Sequence, residues 1–305
     1  MGTWLGHAAP GTFFICFSLW WLVRSMHSYY SQSSGRKYVN SLVKHCCCKT
    51  GCFGRLPLDN WVLIFVAALG VIMEVATSVA TKNFVVMGNR QHLTMYISFG
   101  LVGLVSILVH HKFQFVPKGS EYMFLLAALI IELVLFRFHL HGREDVDTHM
   151  HMLLVYTIAG CMVAVSAEWL YPHSINALLA RSYGFLLQGT WFHQIGVSLY
   201  TPYALTEEQL KNPESIMLMT LIFAWHMIGC LMVMLILNGL VYWCCSPRCQ
   251  GDYGNDDSIQ LLPASEQKSR VDDSQTSAIM NGYTSVGSAD EDELYAAPSH
   301  KNGAP

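Results

Sequence analysis

The sequence predicts an all-α, polytopic membrane protein: a bundle of seven transmembrane helices with a disordered C-terminal tail. Three observations carry this prediction. Long apolar stretches recur along the chain, only 13% of its 305 residues are charged against the roughly 25% usual in soluble domains, and the composition changes near residue 250. We therefore divide the chain into a seven-span transmembrane domain, residues 1–249, and an acidic cytosolic tail, residues 250–305.

Each predicted span is an apolar stretch of about 20 residues or more, the length needed to cross the hydrocarbon core. The first stretch has no basic segment before it and no small-residue cleavage site after it, so we interpret it as an uncleaved span rather than a signal peptide. In chain order the spans are 8–27, 60–80, 93–111, 121–140, 150–170, 176–198 and 215–245.

The placement of Lys and Arg predicts the orientation, because loops rich in these residues stay in the cytosol. The connection after the first span carries Arg36, Lys37, Lys44, Lys49 and Arg55. The opposite side carries only Lys82, Arg90, Arg143 and Lys211. We expect a lumenal N-terminus and a cytosolic C-terminus. Cysteines beside the cytosolic span ends are candidates for lipidation, with plain reduced thiols as the alternative: Cys46, Cys47, Cys48, Cys244 and Cys245.

The tail is acidic and rich in Ser, Asp, Gly and Ala, so it cannot bury enough apolar surface to fold alone. Two short strings in it have the pattern of sorting signals that trafficking adaptors read. One is an acidic dileucine string with Asp257, Leu261 and Leu262, and the other is a tyrosine string with Tyr283 and Val286. The expected partners are the lipid bilayer and cytosolic trafficking adaptors, and no nucleic acid.

Histidines gather near the predicted lumenal end of the spans. Imidazole and carboxylate groups suit Zn²⁺ or Fe²⁺, so a zinc or iron site is one hypothesis. Its candidate ligands are His139, His151 and His226, with His92 and Glu132 as alternates. Other polar residues expected around the same pocket are His7, His141, Arg143, Asp147, Gln188 and Glu74. A buried hydrogen-bonded network and scattered interfacial histidines are the alternatives.

Carboxylates inside the spans need explanation, because a charge at mid-membrane costs a few kcal/mol or more. Glu74 and Glu132 must have partners or be protonated. A histidine, Gln188 or Arg137 could pair with Glu132, whereas Glu168 lies close enough to a span end to reach the headgroups. Intramembrane carboxylates also suit proton relays, which keeps a transport function open.

Several strings in the same order resemble the transmembrane protein 45 family. They are residues 6–14 (GHAAPGTFF), 92–96 (HLTMY), 139–144 (HLHGRE), 188–192 (QGTWF) and 225–226 (WH). The resemblance covers most of residues 1–245. It implies a multi-pass protein of Golgi, endosomal or lysosomal membranes and supplies no reaction. The residues that match motif positions are His7, His92, Glu132, His139, His141, Arg143, Asp147, His151, Gln188, Trp191 and His226.

The first functional hypothesis is a multi-pass endomembrane protein with a role in trafficking or membrane organisation. One alternative is a metal-dependent intramembrane hydrolase or lipid-modifying enzyme that uses the lumenal-side histidine pocket. A further alternative is a proton-coupled transporter that uses Glu74 and Glu132. No hydrolase, kinase or nucleotide-binding signature is present. Because the histidine pocket is the basis of the enzyme alternative, the sequence leaves an enzymatic role open.

Overall fold

A computed structural model describes residues 3–31, 38–42, 57–80, 87–138, 140 and 142–249. All regular secondary structure in these residues is helical, which confirms the predicted all-α class. The helices are α1 (Trp4–Tyr30), α2 (Leu58–Ala80), α3 (Met87–His110), α4 (Ser120–Phe138), α5 (Asp145–Leu170), α6 (Ile175–Tyr200), α7 (Glu207–Lys211) and α8 (Pro213–Cys249). The predicted tail, residues 250–305, lies outside the described residues.

Among the described helices, five are long and apolar enough to cross a membrane: α1, α2, α3 from Arg90, α5, and α8 as far as Cys245. Each predicted span falls on one of the long helices, α1–α6 and α8. However, α4 and α6 are not among the five. Helix α4 contains three charged residues, Glu121, Glu132 and Arg137, and polar residues such as Arg181 and Gln188 lower the hydropathy of α6. The count of seven spans therefore stays a prediction.

Local signals set several helix ends. The Thr3 hydroxyl accepts a hydrogen bond from the Gly6 amide at 3.1 Å and caps α1. Ser174 caps α6 in the same way, and Thr206 forms a capping box at the start of α7. Gly142, in the turn between α4 and α5, has a φ of 77°, a conformation that side-chain-bearing residues rarely adopt.

Helix α5 lies near the centre of the bundle and α2 and α8 lie at its periphery. Half of the apolar stretch of α5 is buried (50%), against 11% in α2 and 11% in α8. The fully buried apolar residues of α5 recur every three or four positions and so share one face; they are Val146, Met150, Leu154, Ile158, Cys161 and Val165. The exposed apolar faces of α2 and α8 are the surfaces expected to meet lipid.

Residues 38–42 pack on the turn between α5 and α6. The Asn40 side-chain amide donates to the Ser174 carbonyl at 2.7 Å, and the His173 Nδ1–H donates to the Tyr38 carbonyl at 2.8 Å. Burial raises the pKa of Tyr38 to about 12, so its phenol is neutral at physiological pH. The connection after α1 and the α5–α6 turn thus share one end of the bundle, as the predicted threading requires.

Helices α1 and α6 approach each other closely at a pair of glycines. A Cβ on Gly189 would lie 2.7 Å from the Gly11 carbonyl oxygen and 2.8 Å from the Ile15 amide nitrogen. A Cβ on Gly11 would lie 2.9 Å from the Gly189 carbonyl oxygen. Small residues at such crossings let two backbones touch, which is a main source of helix association in lipid. The two glycines therefore set the distance between α1 and α6.

We expect Gly189→Ala to destabilise the bundle, because the added methyl group would meet backbone atoms that cannot rotate away. Overpacking of this kind costs about 1–3 kcal/mol. The measurement is thermal unfolding of the purified protein in detergent, followed by loss of monodisperse material. Gly229→Ala in α8 is the matched control, since a Cβ there meets nothing within 4 Å. Equal melting temperatures for the two variants would contradict the proposed backbone contact.

Candidate functional site

Two buried histidines from distant parts of the chain meet at one end of the bundle. His7 lies in the first turn of α1 and His151 lies in the second turn of α5; these residues are 6% and 1% exposed. The ring centroids are 5.8 Å apart and the rings are nearly perpendicular, at 80°. Aromatic rings surround the pair: Tyr200 lies 5.0 Å from His7, and Phe136 lies 6.4 Å from His151. The pair is the core of the candidate site.

His151 is held through one ring nitrogen only. Its Nδ1 lies 2.9 Å from the Asp147 carbonyl oxygen and 2.8 Å from an Asp147 carboxylate oxygen. Both partners are acceptors, so Nδ1 must carry the hydrogen. Arg143 donates to both carboxylate oxygens of Asp147, at 3.0 and 2.9 Å, which fixes that carboxylate in turn. The buried Nε2 of His151 has no hydrogen-bond partner among the described residues.

His7 and His92 are oriented in the same manner. The Nδ1 of His7 donates to the Thr3 carbonyl at 3.0 Å, one helical turn earlier. The Nδ1 of His92, in α3, lies 2.9 Å from a carboxylate oxygen of Glu74, in α2. His92 also reaches α1, because its Cε1 lies 3.6 Å from the position that a Cβ of Gly6 would occupy. In each of the three imidazoles, Nδ1 therefore faces an oxygen atom of its own, and this contact leaves Nε2 available to bind another group.

The cluster contains most of the described residues that the sequence predicted for the pocket. Six of these residues contribute to it, from α1, α2, α3, α5 and the residues just before α5. They are His7, His92, His151, Glu74, Arg143 and Asp147. In the described part of the chain no three His, Cys, Asp or Glu side chains converge in a way that would hold a metal ion. His139 and His141 lie outside the described residues, so the ligand set expected from the sequence stays a prediction.

His226 belongs to a different region. Its ring packs edge-on against Trp191 at 5.5 Å, and its Nε2 lies 3.4 Å from the Gln194 side-chain oxygen. It lines an open groove of about 380 Å³ between α6 and α8, together with Thr190, Trp225 and Cys230. The structure does not place His226 among the neighbours of His151.

A second polar layer lies deeper in the bundle and contains Glu132. The Gln188 side-chain amide donates to one carboxylate oxygen of Glu132 at 2.8 Å, so Gln188 is the partner among the three that the sequence left open. The Cys161 thiol lies 3.6 Å from the Gln188 side-chain oxygen. The other carboxylate oxygen of Glu132 is buried and has no partner within the described residues. This layer joins α4, α5 and α6.

A third polar layer, which the sequence analysis missed, ties the opposite end of the same helices. Glu168 is fully buried and forms an ion pair with Arg181, so the expectation that it reaches the headgroups is wrong. Tyr122 donates to Glu168 at 3.1 Å, and the Arg181 guanidinium lies 4.5 Å from the Trp21 ring centroid. The sequence did contain a signal for this ion pair, because Glu168 and Arg181 carry opposite charges on either side of the short α5–α6 turn.

Other predicted residues fall elsewhere. Cys245 is buried beside the Ser31 hydroxyl at 3.7 Å, whereas Cys244 is exposed, which makes Cys244 the more accessible candidate for lipidation. Arg24 in α1 forms a buried ion pair with Asp59 in α2, a contact that the sequence analysis also missed. Besides His139 and His141, the predicted residues outside the described part of the chain are Cys46, Cys47, Cys48, Asp257, Leu261, Leu262, Tyr283 and Val286.

Comparison with known proteins connects this bundle to a group of membrane proteins. Residues 118–239, from just before α4 to within α8, match the model of a family of unknown function (DUF716). The chain is similar to the transmembrane epididymal proteins. It is 23% identical to transmembrane epididymal protein 1 of Rattus norvegicus over 79% of this chain and 81% of the relative. The identity to transmembrane epididymal protein 1A of Mus musculus is also 23%, over 81% and 84% of the two chains.

A third relative, transmembrane epididymal protein 1 of Homo sapiens, is 29% identical over 45% of this chain and 50% of its own. These matches correct the resemblance to the transmembrane protein 45 family, which is wrong: the matching family and the relatives carry other names. The compartments implied by that resemblance lose its support. The apolar helices and the transmembrane relatives together show an integral, multi-pass membrane protein whose molecular activity is not established.

We expect Arg181→Met to be strongly destabilising, because it leaves the Glu168 carboxylate buried without its cation. Breaking one partner of a buried ion pair costs about 3–5 kcal/mol. The double variant Arg181→Met/Glu168→Leu should recover most of the loss in a denaturant-unfolding measurement. Lys211→Met is the control, since its pair with Glu144 is 3.6 Å long and exposed, and such pairs contribute about 0–1 kcal/mol. A single variant as stable as wild type would contradict the ion pair.

Proposed function

We propose that the chain is a seven-span protein of Golgi, endosomal or lysosomal membranes that acts in trafficking or membrane organisation through its cytosolic tail. The observation that carries the proposal is that the buried polar side chains join helices to one another. Arg24 joins α1 to α2, Glu74 joins α2 to α3, Glu132 joins α4 to α6, and Glu168 joins α4, α5 and α6. A bundle joined in this way suits a membrane anchor.

The lengths and positions of α4 and α6 support seven spans. Helix α4 has 19 residues and α6 has 26. At 1.5 Å per residue they are about 28 and 39 Å long, against a hydrocarbon core of about 30 Å. Their polar residues Glu132, Arg181 and Gln188 are buried against neighbouring helices rather than lipid. Polar side chains that face a bundle interior are the ones that transmembrane helices tolerate.

The orientation proposed is N-terminus lumenal and C-terminus cytosolic. The end of the bundle that contains residues 38–42 and the α5–α6 turn is the end where the basic connection after α1 begins. By the positive-inside rule this end faces the cytosol. The histidine cluster then lies at the lumenal end, and α8 ends in the cytosol.

We expect Leu261→Ala/Leu262→Ala to raise the amount of protein at the cell surface, because internalisation through an acidic dileucine signal would be lost. The measurement is surface biotinylation of the full chain in cultured cells, with Gln260→Ala in the same string as the control. Tyr283→Ala tests the tyrosine string separately. An unchanged surface fraction for all three variants would contradict an adaptor-read tail.

Orientation is tested independently with an epitope at the C-terminus. The proposal expects antibody access in intact cells only after the plasma membrane is permeabilised, and protease access in sealed endomembrane vesicles without detergent. Protection of the tag inside the vesicles would overturn the orientation.

Proton-coupled transport is a second candidate, because a specific observation favours it. Glu132 is 2% exposed, and one of its carboxylate oxygens has no partner within the described residues. Carboxylates in such positions are a recurrent feature of proton relays in membrane transporters.

This candidate predicts proton uptake by liposomes that contain the purified protein and an internal pH-sensitive dye. Glu132→Gln should abolish that uptake, since the amide can still accept from Gln188 but cannot take up and release a proton at neutral pH. Glu214→Gln, at an exposed residue, is the control. If liposomes with the wild-type protein take up protons no faster than protein-free liposomes, the transport candidate is eliminated and the membrane-anchor proposal is left.

The metal-dependent hydrolase receives less support from the geometry. Two of its three expected ligands, His151 and His226, have different neighbours, and the third, His139, lies outside the described residues. The hydrolase therefore remains a prediction from the sequence.

A further inference from the structure

We propose that His7 and His151 form a binding site for a divalent transition metal, with Zn²⁺ as the representative ion, at the end of the bundle where α1, α3 and α5 meet. His92 lies beside this pair as a third imidazole. The inference goes beyond the proposed function, since it assigns a ligand to the lumenal end of the bundle and requires no reaction. It also differs from the ligand set expected from the sequence, because His7 takes the place of His139 and His226.

The protonation pattern of the rings favours a metal. In each of the two imidazoles Nδ1 faces an oxygen acceptor: the Thr3 carbonyl for His7, and the carbonyl and carboxylate of Asp147 for His151. Each neutral ring therefore carries its hydrogen on Nδ1 and a lone pair on Nε2. Histidines that bind metals characteristically donate their other N–H to a carbonyl or carboxylate, which fixes the ring and raises its basicity. Both rings are held in this way.

The spacing of the rings suits a shared ion. Two imidazoles bound through nitrogen at about 2.0–2.1 Å, with a near-tetrahedral angle at the metal, have ring centroids about 5–6 Å apart. The observed separation between His7 and His151 is 5.8 Å.

The unpartnered nitrogen of His151 points to a missing ligand. Its Nε2 is buried and without a hydrogen-bond partner in the described part of the chain, although buried polar atoms are nearly always paired. A hydrogen-bonded network alone leaves this atom unexplained, whereas a metal ion would use it.

The surroundings are also suitable in charge. Asp147 and Glu74 lie directly behind His151 and His92 and place two carboxylates close to the proposed ion. Arg143 opposes them, but Asp147 already binds its guanidinium at 2.9–3.0 Å. Phe136, Phe192 and Tyr200 surround the rings and limit competition from water.

His92 is the nearest further ligand. Its Nδ1 is held by Glu74, and its side chain is 27% exposed, so it has room to turn. The described residues do not present three converged ligands. We therefore expect a site of two imidazoles and water that His92 completes by a side-chain rotation, and an affinity below that of a four-ligand structural zinc site.

The test is Zn²⁺ binding to the purified full-length chain in detergent, measured by calorimetry. The purification tag contains no histidine, and Cys46, Cys47, Cys48 and Cys52 are replaced by Ser throughout to remove competing thiolates. We expect one Zn²⁺ per chain, lost or weakened at least about tenfold in His7→Gln and in His151→Gln. His226→Gln is the matched control, and it should bind as wild type does. Co²⁺ substitution should give a visible spectrum of nitrogen and oxygen ligands.

Asp147→Asn is the second variant, in case the histidine variants fail to fold. Loss of a carboxylate behind a ligand typically costs 10–100-fold in metal affinity. The proposal is overturned if the wild-type chain does not bind Zn²⁺, or if His7→Gln/His151→Gln still binds it with wild-type affinity. It is also overturned if His226→Gln loses binding as completely as His151→Gln does. Failure here leaves the tail-dependent anchor untouched, because the surface-biotinylation experiment does not depend on a metal.

Discussion

The contact between the backbones of α1 and α6 is the constraint on which the rest of the bundle depends. Lipid chains are as apolar as leucine, so the hydrophobic effect does not hold transmembrane helices together; close packing and polar contacts do. At Gly11 and Gly189 the two backbones touch without side chains between them. Because α1 is held this close to α6, its other side chains reach partners on four further helices, α2, α3, α5 and α8.

Those partners explain the arrangement of the polar groups. One turn before Gly11, His7 meets His151 of α5; two to four turns after it, Trp21 lies against Arg181 and Arg24 pairs with Asp59 of α2. The buried charges then form separate layers along α4, α5 and α6, in which single atoms of Glu132, His151 and Arg181 have no hydrogen-bond partner among the described residues. The unpartnered atoms of Glu132 and His151 are the ones that motivate the transport candidate and the metal site.

The sequence was sufficient to locate the long helices. It was insufficient to predict which face of each helix is turned towards its neighbours. Apolar length located each long helix because a bilayer demands a minimum length of apolar chain. The His7–His151 pair required knowledge of which face of α1 is turned towards α5, and that depends on the glycine contact with α6. The Arg24–Asp59 pair depends on tertiary packing in the same way, and Gln188 was only one of three partners considered for Glu132. The resemblance to the transmembrane protein 45 family was wrong, although the strings on which it rested are present in the sequence as quoted.

The length of α8 has a consequence for how this helix lies in a bilayer. Its candidate membrane span, Pro213–Cys245, has 33 residues and therefore rises about 50 Å. Even at a tilt of about 40°, the upper end of the observed range, it spans about 38 Å along the bilayer normal, more than the roughly 27 Å core of the endoplasmic reticulum. Part of α8 therefore lies outside the hydrocarbon core at one or both of its ends, among the headgroups or beyond them.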